Sequence, residues 1–355
     1  NNLQDLTADS APATITPKTL TVELNDTNVT KVYDGTDAGP AGFEPLLAVT
    51  DGFLSGDALT SDTLASLGFT VDNGQAKFNS KNVLQADELT VDGLSLTEID
   101  SNNGSMVTDY QLNTDTLTTT ASITERPITS IEVTKTYDGG TLLFETKELT
   151  FGNLVEGESF DSSSGEAAFA NVSDNAVNYV SQIRLKDGTG GLLSNYSLPG
   201  NVTENTSDNS KTVSFGQRQM DAGNPVNPVT IDKRLLKVRA ADDAKLEGLP
   251  DPANYAGVFY NGFVTGEGET DLNTLPTITR VAAAGTGALE EAVGVYENVL
   301  EASGATANNY EIVYEAGDYE ILGAGTLLLR TEISAQQEYG DEAVYNYQSA
   351  QYLDD

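Results

Sequence analysis

The chain has 355 residues, and its 18 Lys and Arg against 54 Asp and Glu give a formal net charge of −36. Such a charge repels phosphate backbones and anionic membrane surfaces, so nucleic acid is disfavoured as a partner. The chain has no His and no Cys, which excludes Ser-His-Asp and Cys-His nucleophiles, zinc ligand sets and disulfides.

The composition indicates a folded chain that is mostly β. Hydrophobic residues make up 38% and charged residues 20% of the chain, so much of its surface must be Thr, Ser, Asn and Gly. That mixture is poor in helix formers and rich in strand and turn residues. No apolar run reaches the roughly 18 residues that a membrane-spanning helix needs. We therefore predict an all-β, soluble protein with no membrane insertion.

Four short segments with alternating apolar and polar residues recur along the chain. Their spacings are 108, 108 and 90 residues, and they lie at residues 13–16, 121–124, 229–232 and 319–322. Each is followed within a few residues by a second extended run, such as LTVEL from Leu20. A two-residue period is typical of a half-buried strand. We interpret each pair as the last strand of one domain and the first strand of the next.

These spacings predict a tandem array of small β-sandwich or β-grasp-like domains, arranged end to end as an elongated rod. The predicted segments are a terminal strand or extension at residues 1–17, domains at 18–125, 126–232 and 233–322, and an incomplete further unit at 323–355. The three domains are called the first, middle and third repeats below.

A second signature recurs inside the repeats. KVYDGT covers residues 31–36 and KTYDGG covers residues 135–140. Near the end of each repeat stands an aromatic strand, with its tyrosine at Tyr110, Tyr196 or Tyr310. The third repeat lacks Tyr-Asp-Gly and has Leu246 where a tyrosine is expected.

In these motifs the first two repeats resemble the YDG repeat domains of large, filamentous-haemagglutinin-like bacterial surface adhesins. The third repeat is similar to the MBG repeats that accompany them, most clearly over residues 292–322. Such exoproteins occur in Gram-negative bacteria, and many are exported by two-partner secretion. The resemblance implies an extracellular array at the bacterial cell surface, structural or adhesive, and it implies no catalytic residues.

The Tyr-Asp-Gly motif has a structural interpretation. A tyrosine can close the end of a small core while its hydroxyl stays in water. The aspartate accepts backbone hydrogen bonds, and the glycine supplies a positive φ for a tight turn. We expect the same local geometry at Tyr33, Asp34 and Gly35 as at Tyr137, Asp138 and Gly139. A lone carboxylate at Asp34 or Asp138 is a weaker candidate for a metal ligand or a catalytic acid.

One Asx-rich loop raises the question of calcium. Asp100, Asn102 and Asp109 lie in residues 99–109, and calcium prefers six to eight oxygen ligands. Against this, Gly104 comes one place too early for an EF-hand, and no glutamate closes the loop. Ordinary turn chemistry is the favoured interpretation, and calcium is the one cofactor left open.

One segment allows two structures. Residues 287–302 have the composition of an amphipathic helix, but their valines also alternate as in a strand that ends at the turn of Ser303 and Gly304. We favour the strand, with a short helical turn near residues 288–292 left open.

The leading functional hypothesis is the stalk of a bacterial surface adhesin that mediates attachment to a cell surface or matrix. Its partners would be neighbouring repeats, glycans, or host and matrix surfaces. The alternative is a self-assembling subunit of an extracellular fibre, in which identical subunits exchange strands. An enzyme is disfavoured, because the acidic residues are scattered and small β repeats offer no single deep cleft.

Overall fold

The computed structural model describes residues 14–58, 76–143, 148–323, 325–326, 329–336 and 344–352. Regular structure in these residues consists of β-strands and of short 3-10 turns of three residues each. The expectation of an all-β fold is therefore confirmed. The end-to-end rod and the domain boundaries stay predictions.

The strands of the first repeat alternate buried apolar residues with exposed polar ones. In its first strand Leu20 and Val22 are buried, whereas Thr19 and Glu23 are exposed and Thr21 is half-buried, as expected of a half-buried strand. The strands are β1 Lys18–Leu24, β2 Val29–Val32, β3 Leu47–Asp51, β4 Asp57–Ala58, β5 Ala76–Phe78, β6 Glu88–Val91, β7 Asp100–Ser101, β8 Tyr110–Leu112 and β9 Leu117–Thr124. A 3-10 turn at Val107–Asp109 precedes β8.

The middle repeat continues the same pattern with longer strands and an added hairpin. Its strands are β10 Arg126–Pro127, β11 Ser130–Thr136, β12 Glu148–Gly152, β13 Phe160–Ala167, β14 Val180–Asp187, β15 Tyr196–Ser197, β16 Asn201–Asn205, β17 Ser210–Ser214, β18 Met220–Asp221, β19 Asn224–Pro225 and β20 Val229–Asp232. Two 3-10 turns lie at Val172–Asp174 and Leu193–Asn195.

The third repeat and the residues after it hold the remaining strands. They are β21 Arg234–Ala240, β22 Asp243–Leu246, β23 Val258–Asn261, β24 Thr277–Arg280, β25 Gly294–Ser303, β26 Tyr310–Glu315, β27 Gly317–Leu322, β28 Leu329–Gln336 and β29 Val344–Tyr352. A 3-10 turn lies at Glu269–Asp271. β28 and β29 pair as an antiparallel hairpin.

The first and third repeats share one sheet topology. The first has sheets ordered β3-β1-β8 and β2-β9-β6-β5, and the third has β23-β21-β26 and β22-β27-β25-β24. In the middle repeat the orders are β12-β11-β20 and β13-β14-β17-β16. Each repeat also pairs an early strand in parallel with its last strand over four residues, as β2 with β9, β11 with β20 and β22 with β27.

A single register relation recurs in all three repeats. A basic residue at the start of the repeat lies opposite the tyrosine of the aromatic strand, in a parallel pairing. The pairs are Lys18 with Tyr110, Arg126 with Tyr196 and Arg234 with Tyr310. The aromatic strand therefore begins where the repeat begins, at the end that meets the preceding part of the chain.

The described chain divides into two compact units whose border passes through the middle repeat. The N-terminal unit comprises Asn1–Ile131, Phe151–Ser164 and Gln182–Phe215, and the C-terminal unit comprises Glu132–Thr150, Gly165–Ser181 and Gly216–Asp355. Each unit thus holds an outer repeat together with the parts of the middle repeat that contact it.

Two local predictions have definite outcomes. The strand interpretation of residues 287–302 is correct, because β25 runs over Gly294–Ser303, and residues 288–292 form no helical turn. The strand predicted at residues 13–16 is wrong for its described part. Residue 13 lies outside the described residues, while residues 14–16 are not in a strand and Ile15 is 95% exposed.

Candidate functional site: two tyrosine–carboxylate joints

The turn that follows Tyr33 is held by its own lysine and aspartate. Lys31 Nζ donates to Asp34 Oδ1 at 2.8 Å, and the backbone N–H of Thr36 donates to the same oxygen at 2.9 Å. Burial alone would raise the pKa of Asp34, but the Lys31 and Thr36 donors outweigh it and lower that pKa below its ordinary value. Gly35 takes the positive φ of 83° that the turn requires.

The turn after Tyr137 repeats this geometry. Lys135 Nζ donates to Asp138 Oδ1 at 2.6 Å, and the backbone N–H of Gly140 donates to the same oxygen at 3.0 Å. Gly139 has a φ of 80°. The two motifs therefore share one local structure, with the aspartate and glycine in the structural roles expected of them.

The tyrosine hydroxyl does not stay in water. Tyr33 is fully buried, and its hydroxyl donates to Glu158 Oε1 of the middle repeat at 2.6 Å. The other carboxylate oxygen of Glu158 accepts from the hydroxyl of Tyr196 at 2.6 Å. The rings of Tyr33 and Tyr196 meet edge to face with centroids 5.3 Å apart. One carboxylate thus joins tyrosines from two repeats within the N-terminal unit.

An equivalent joint lies within the C-terminal unit. Tyr137 donates to Glu267 Oε1 at 2.5 Å, and Tyr310 donates to Glu267 Oε2. The two tyrosine rings again meet edge to face, with centroids 5.6 Å apart. Here the tyrosine of the middle repeat reaches a carboxylate of the third repeat.

The phenol groups of both joints are held in the protonated state. Desolvation by burial is the largest cause, and the hydrogen bond to the carboxylate adds to it. Together they raise the pKa of Tyr33 to about 12 and that of Tyr137 to about 12. The pKa values of Tyr196 and Tyr310 are raised as well, for the same first cause.

The glycine of each turn lies against a valine of the next repeat. A Cβ added to Gly35 would lie 3.0 Å from Val155 Cγ1, and one added to Gly139 would lie 3.0 Å from Val264 Cγ1. Both positions therefore require glycine for two reasons, because φ is positive and the facing side chain leaves little room.

An asparagine before the second tyrosine adds a polar contact to each joint. Asn195 accepts from the backbone N–H of Val83 at 3.0 Å, and its amide donates to Asn82 at 3.1 Å. Asn309 makes the same two contacts with residues 171–172, at 3.1 and 3.0 Å. Asn195 is fully buried, so these hydrogen bonds satisfy a group that water does not reach.

Two family models match parts of this arrangement. The model described as YDG domain matches residues 16–119, and the model described as MBG domain (YGX type) matches residues 236–320. The chain carries a YDG domain and an MBG domain. The matches fall on the first and third repeats and confirm the resemblance for those two, while the resemblance of the middle repeat to YDG domains stays a prediction. No curated protein and no solved structure matches the chain.

The YDG domain has the same carboxylate position as the other two repeats but satisfies it differently. Asp57 Oδ2 accepts from the Tyr110 hydroxyl at 2.5 Å. Its Oδ1 accepts from Ser101 Oγ at 2.6 Å and from Asn103 Nδ2 at 3.0 Å, both in the same domain. These hydrogen bonds, that of Ser101 first, lower the pKa of Asp57 to about 2.

The MBG domain departs from the motif in another way. In its parallel pairing, Lys245 lies opposite Ile321 and Leu246 lies opposite Leu322. The corresponding residues of the YDG domain are Lys31 and Val32, which lie opposite Ile123 and Thr124. The backbone N–H of Glu247 then bonds to Leu322, as that of Tyr33 bonds to Thr124. Glu247, not Leu246, therefore stands at the tyrosine position.

Lys245 of the MBG domain belongs to a cluster of four charges. Lys245 contacts Asp251 at 3.0 Å and also contacts Glu291. Arg280 contacts Asp251 at 2.8 Å and Glu291 at 2.7 Å, and it covers the ring of Tyr319. Two nearly buried cations are thus neutralised by two carboxylates, which is a structural arrangement and leaves no unpaired charge within the cluster.

The calcium candidates are not brought together as a ligand set. Asp100 lies in β7, Asn102 uses its backbone N–H on Gly56, and Asp109 accepts from the backbone N–H of Met106 at 2.8 Å. Within the described ranges no three Asp or Glu side chains form a metal-binding group. Nor does the described part of the chain contain a helix with the length and apolar character that a membrane crossing needs.

The carboxylates and the asparagines of the joints were not predicted from the sequence. The sequence does contain a signal for the carboxylates. A five-residue pattern of two apolar residues, any residue, Gly and an acidic residue recurs at residues 53–57, 154–158 and 263–267. Each of these segments also supplies a backbone N–H, from Leu54, Val155 or Val264, to the hydroxyl of the tyrosine in the aromatic strand of its repeat.

Proposed function

We propose that the chain is a structural segment of an extracellular bacterial surface adhesin, in which YDG and MBG domains form a stalk that presents binding surfaces. The observation that carries this proposal is the repeated joint. Tyr33 and Tyr137, each at one end of its own repeat, are both used to bind the next repeat.

The joints favour a fixed arrangement of neighbouring repeats over a flexible one. Each joint combines two hydrogen bonds to a carboxylate, each stabilising by about 1.5–3 kcal/mol, with an edge-to-face aromatic contact. Opening a joint would expose these groups together. A stalk needs this property, whereas independent binding modules are better served by loose linkers.

The surface chemistry suits weak, repeated polar contacts. An array that repeats one surface several times gains affinity by multivalency, even when each contact is weak. We propose glycans or matrix surfaces as the ligands of such contacts, and neighbouring repeats as the partners of the joints. No cofactor and no catalytic role is included, since both joint carboxylates are already engaged by tyrosines.

The test uses intact cells of the organism that encodes the chain. Antibodies against the chain should label these cells without permeabilisation, and loss of the gene should lower attachment to glycan-coated or matrix-coated surfaces. Restoring the gene with both Glu158→Ala and Glu267→Ala should restore labelling but not full attachment. Labelling that requires permeabilisation would contradict the proposal.

A fibre subunit is the second candidate, because the exposed strand edges of β repeats can pair between molecules. It predicts that residues 1–355 alone form filaments whose length rises with concentration and that deletion of residues 1–16 abolishes them. A monomer at all concentrations would leave the adhesin stalk as the better proposal.

A further inference from the structure

The YDG domain contains the accepting half of a joint. In the middle repeat this half, here called the acceptor site, consists of a carboxylate, a tyrosine that binds it, and a backbone N–H that donates to this tyrosine. The YDG domain has all three parts. Leu54 N–H donates to Tyr110 at 3.3 Å, and Tyr110 donates to Asp57.

The surroundings of this third acceptor site also match. Tyr110 meets the ring of Phe53 edge to face at 5.2 Å, as Tyr310 meets Phe263 at 5.3 Å in the MBG domain. Asp109 stands directly before Tyr110, in the position from which Asn195 accepts a backbone N–H of the preceding repeat. Asp109 Oδ2 accepts from the backbone N–H of Met106, and Oδ1 of the same carboxylate is a second oxygen that can accept.

The three sites differ in the donors that bind one of the two carboxylate oxygens. Glu158 Oε1 and Glu267 Oε1 each accept the tyrosine of a Tyr-Asp-Gly turn. The corresponding oxygen of Asp57 accepts from Ser101 and Asn103 instead. Two small polar side chains of the same domain thus occupy the place of one tyrosine hydroxyl.

The segment that supplies them is an addition to the YDG domain. Between the end of β6 at Val91 and Tyr110 there are 18 residues, whereas the corresponding connection before Tyr196 has 8 and that before Tyr310 has 6. The extra length lets residues 100–105, here called the plug, fold back onto Asp57.

The plug does not cover the rest of the acceptor site. Leu54 is 49% exposed, while its counterparts Val155 and Val264 are half-buried against Gly35 and Gly139. Leu54, the counterpart of the valines that a Tyr-Asp-Gly turn covers in the two joints, is therefore exposed in the YDG domain.

We propose that the YDG domain carries a third acceptor site, whose partner is the Tyr-Asp-Gly turn of a further YDG repeat, and that the plug occludes it. The inference rests on the proposed array function, because it concerns how one more repeat would attach. Docking requires the plug to release Asp57 Oδ1 to the incoming tyrosine.

The experiment adds one repeat to the full chain. A second copy of residues 18–125 is inserted between Pro17 and Lys18, which reproduces the direct connection between residues 125 and 126 of the existing joint. The pKa of the inserted tyrosine, the copy of Tyr33, is measured by difference titration against the same chain with phenylalanine at that position. A free tyrosine titrates near 10, whereas burial and the hydrogen bond to a carboxylate should raise the pKa of a docked one to about 12, the value expected for Tyr33.

Two plug variants of the original YDG domain complete the design. One deletes residues 96–105, which leaves eight residues before Tyr110, as in the middle repeat. The other is Ser101→Ala with Asn103→Ala, which keeps the loop length and guards against misfolding of the deletion. The existing joint is the internal control, because the original Tyr33 should titrate near 12 throughout.

With the plug intact, the inserted tyrosine should titrate near 10, and either plug variant should raise its pKa by about 2 units. Adding Asp57→Ala to the plug variants should abolish the rise. A pKa near 10 in both plug variants would overturn the acceptor site, and a pKa near 12 with the plug intact would overturn the occlusion. The titration does not measure attachment to surfaces, so its outcome is separate from that of the proposed adhesin function.

Discussion

Glu158 and Asp57 occupy the same place in consecutive repeats, yet they obtain their hydrogen bonds from different sources. Glu158 is bound by a tyrosine from each of two repeats, and Asp57 is bound by a tyrosine, a serine and an asparagine of one domain. Both repeats place a carboxylate at this position, and the length of the connection before the aromatic strand decides which donors reach it. Because a largely buried carboxylate without donors is costly, the YDG domain supplies Ser101 and Asn103 in the place of a second tyrosine.

The largest expected effect tests this difference directly. Glu158→Ala leaves the hydroxyls of Tyr33 and Tyr196 buried without an acceptor, so we expect it to lower the free energy of unfolding by about 2–5 kcal/mol. Asp57→Ala should lower it less, because only one buried tyrosine, Tyr110, loses its acceptor, while Ser101 and Asn103 lie nearer the surface and can turn to water. Denaturant unfolding of the two variants measures both values. Equal losses would show that the joint adds nothing beyond one domain's own hydrogen bonds.

The second-largest effect is expected at the glycine of the Tyr-Asp-Gly turn. Gly35→Val places a β-branched residue at a φ of 83° and its Cβ against Val155, and we expect a loss of about 2–4 kcal/mol. Gly42→Val is the matched control, since Gly42 has a φ of 72° and no atom near its added Cβ. It should lose only about 1–2 kcal/mol, the part that comes from φ. A similar loss in both variants would contradict the close approach at the joint.

Alkaline pH should weaken the joints selectively. The folded-state pKa of Tyr33 is raised from 10.0 to about 12, so the folded state binds its proton more tightly than the unfolded state. This contribution to stability is complete below pH 10 and is lost as pH rises from 10 to 12. Thermal unfolding followed across this range should show Tm falling less steeply in Tyr33→Phe than in the unmodified chain. An unchanged slope would mean that Tyr33 titrates normally.

The smallest effect concerns the two asparagines. Asn195 is fully buried and Asn309 is half-buried, although they make the same contacts. We expect Asn195→Ala to lower the free energy of unfolding by about 1–2 kcal/mol and Asn309→Ala by about half of that. Water can take the place of the lost side chain at the more exposed position, residue 309. The reverse order in denaturant unfolding would show that burial does not set the cost.

Much of the fold could be predicted from local sequence patterns. The alternating runs at residues 121–124, 229–232 and 319–322 lie in strands, and the geometry of the Tyr-Asp-Gly turn follows from the ordinary chemistry of Asp and Gly. The YDG and MBG matches also agree with the order and spacing of these motifs. These features were predictable because each depends on residues that are close together in the chain.

The joints could not be predicted in the same way. Tyr33 and Glu158 are 125 residues apart, and no local pattern marks one as the partner of the other. The tyrosine was therefore expected to leave its hydroxyl in water. A similar limit explains why the tyrosine position of the third repeat was assigned to Leu246 and not to Glu247. The Lys-Leu-Glu-Gly segment is one residue shorter than Lys-x-Tyr-Asp-Gly, and only the strand register shows which residue is missing.

The parallel pairing of an early strand with the last strand has a mechanical consequence. In each repeat β2, β11 or β22 is the second strand along the chain, and the chain leaves the repeat after β9, β20 or β27, with each pair in register over four residues. Tension along the polypeptide would pull such strands past one another and load all the hydrogen bonds between them at once, instead of opening them in succession from one end. Repeats built in this way should resist stretching by liquid flow, because forced unfolding follows the unfolding rate and not the equilibrium stability.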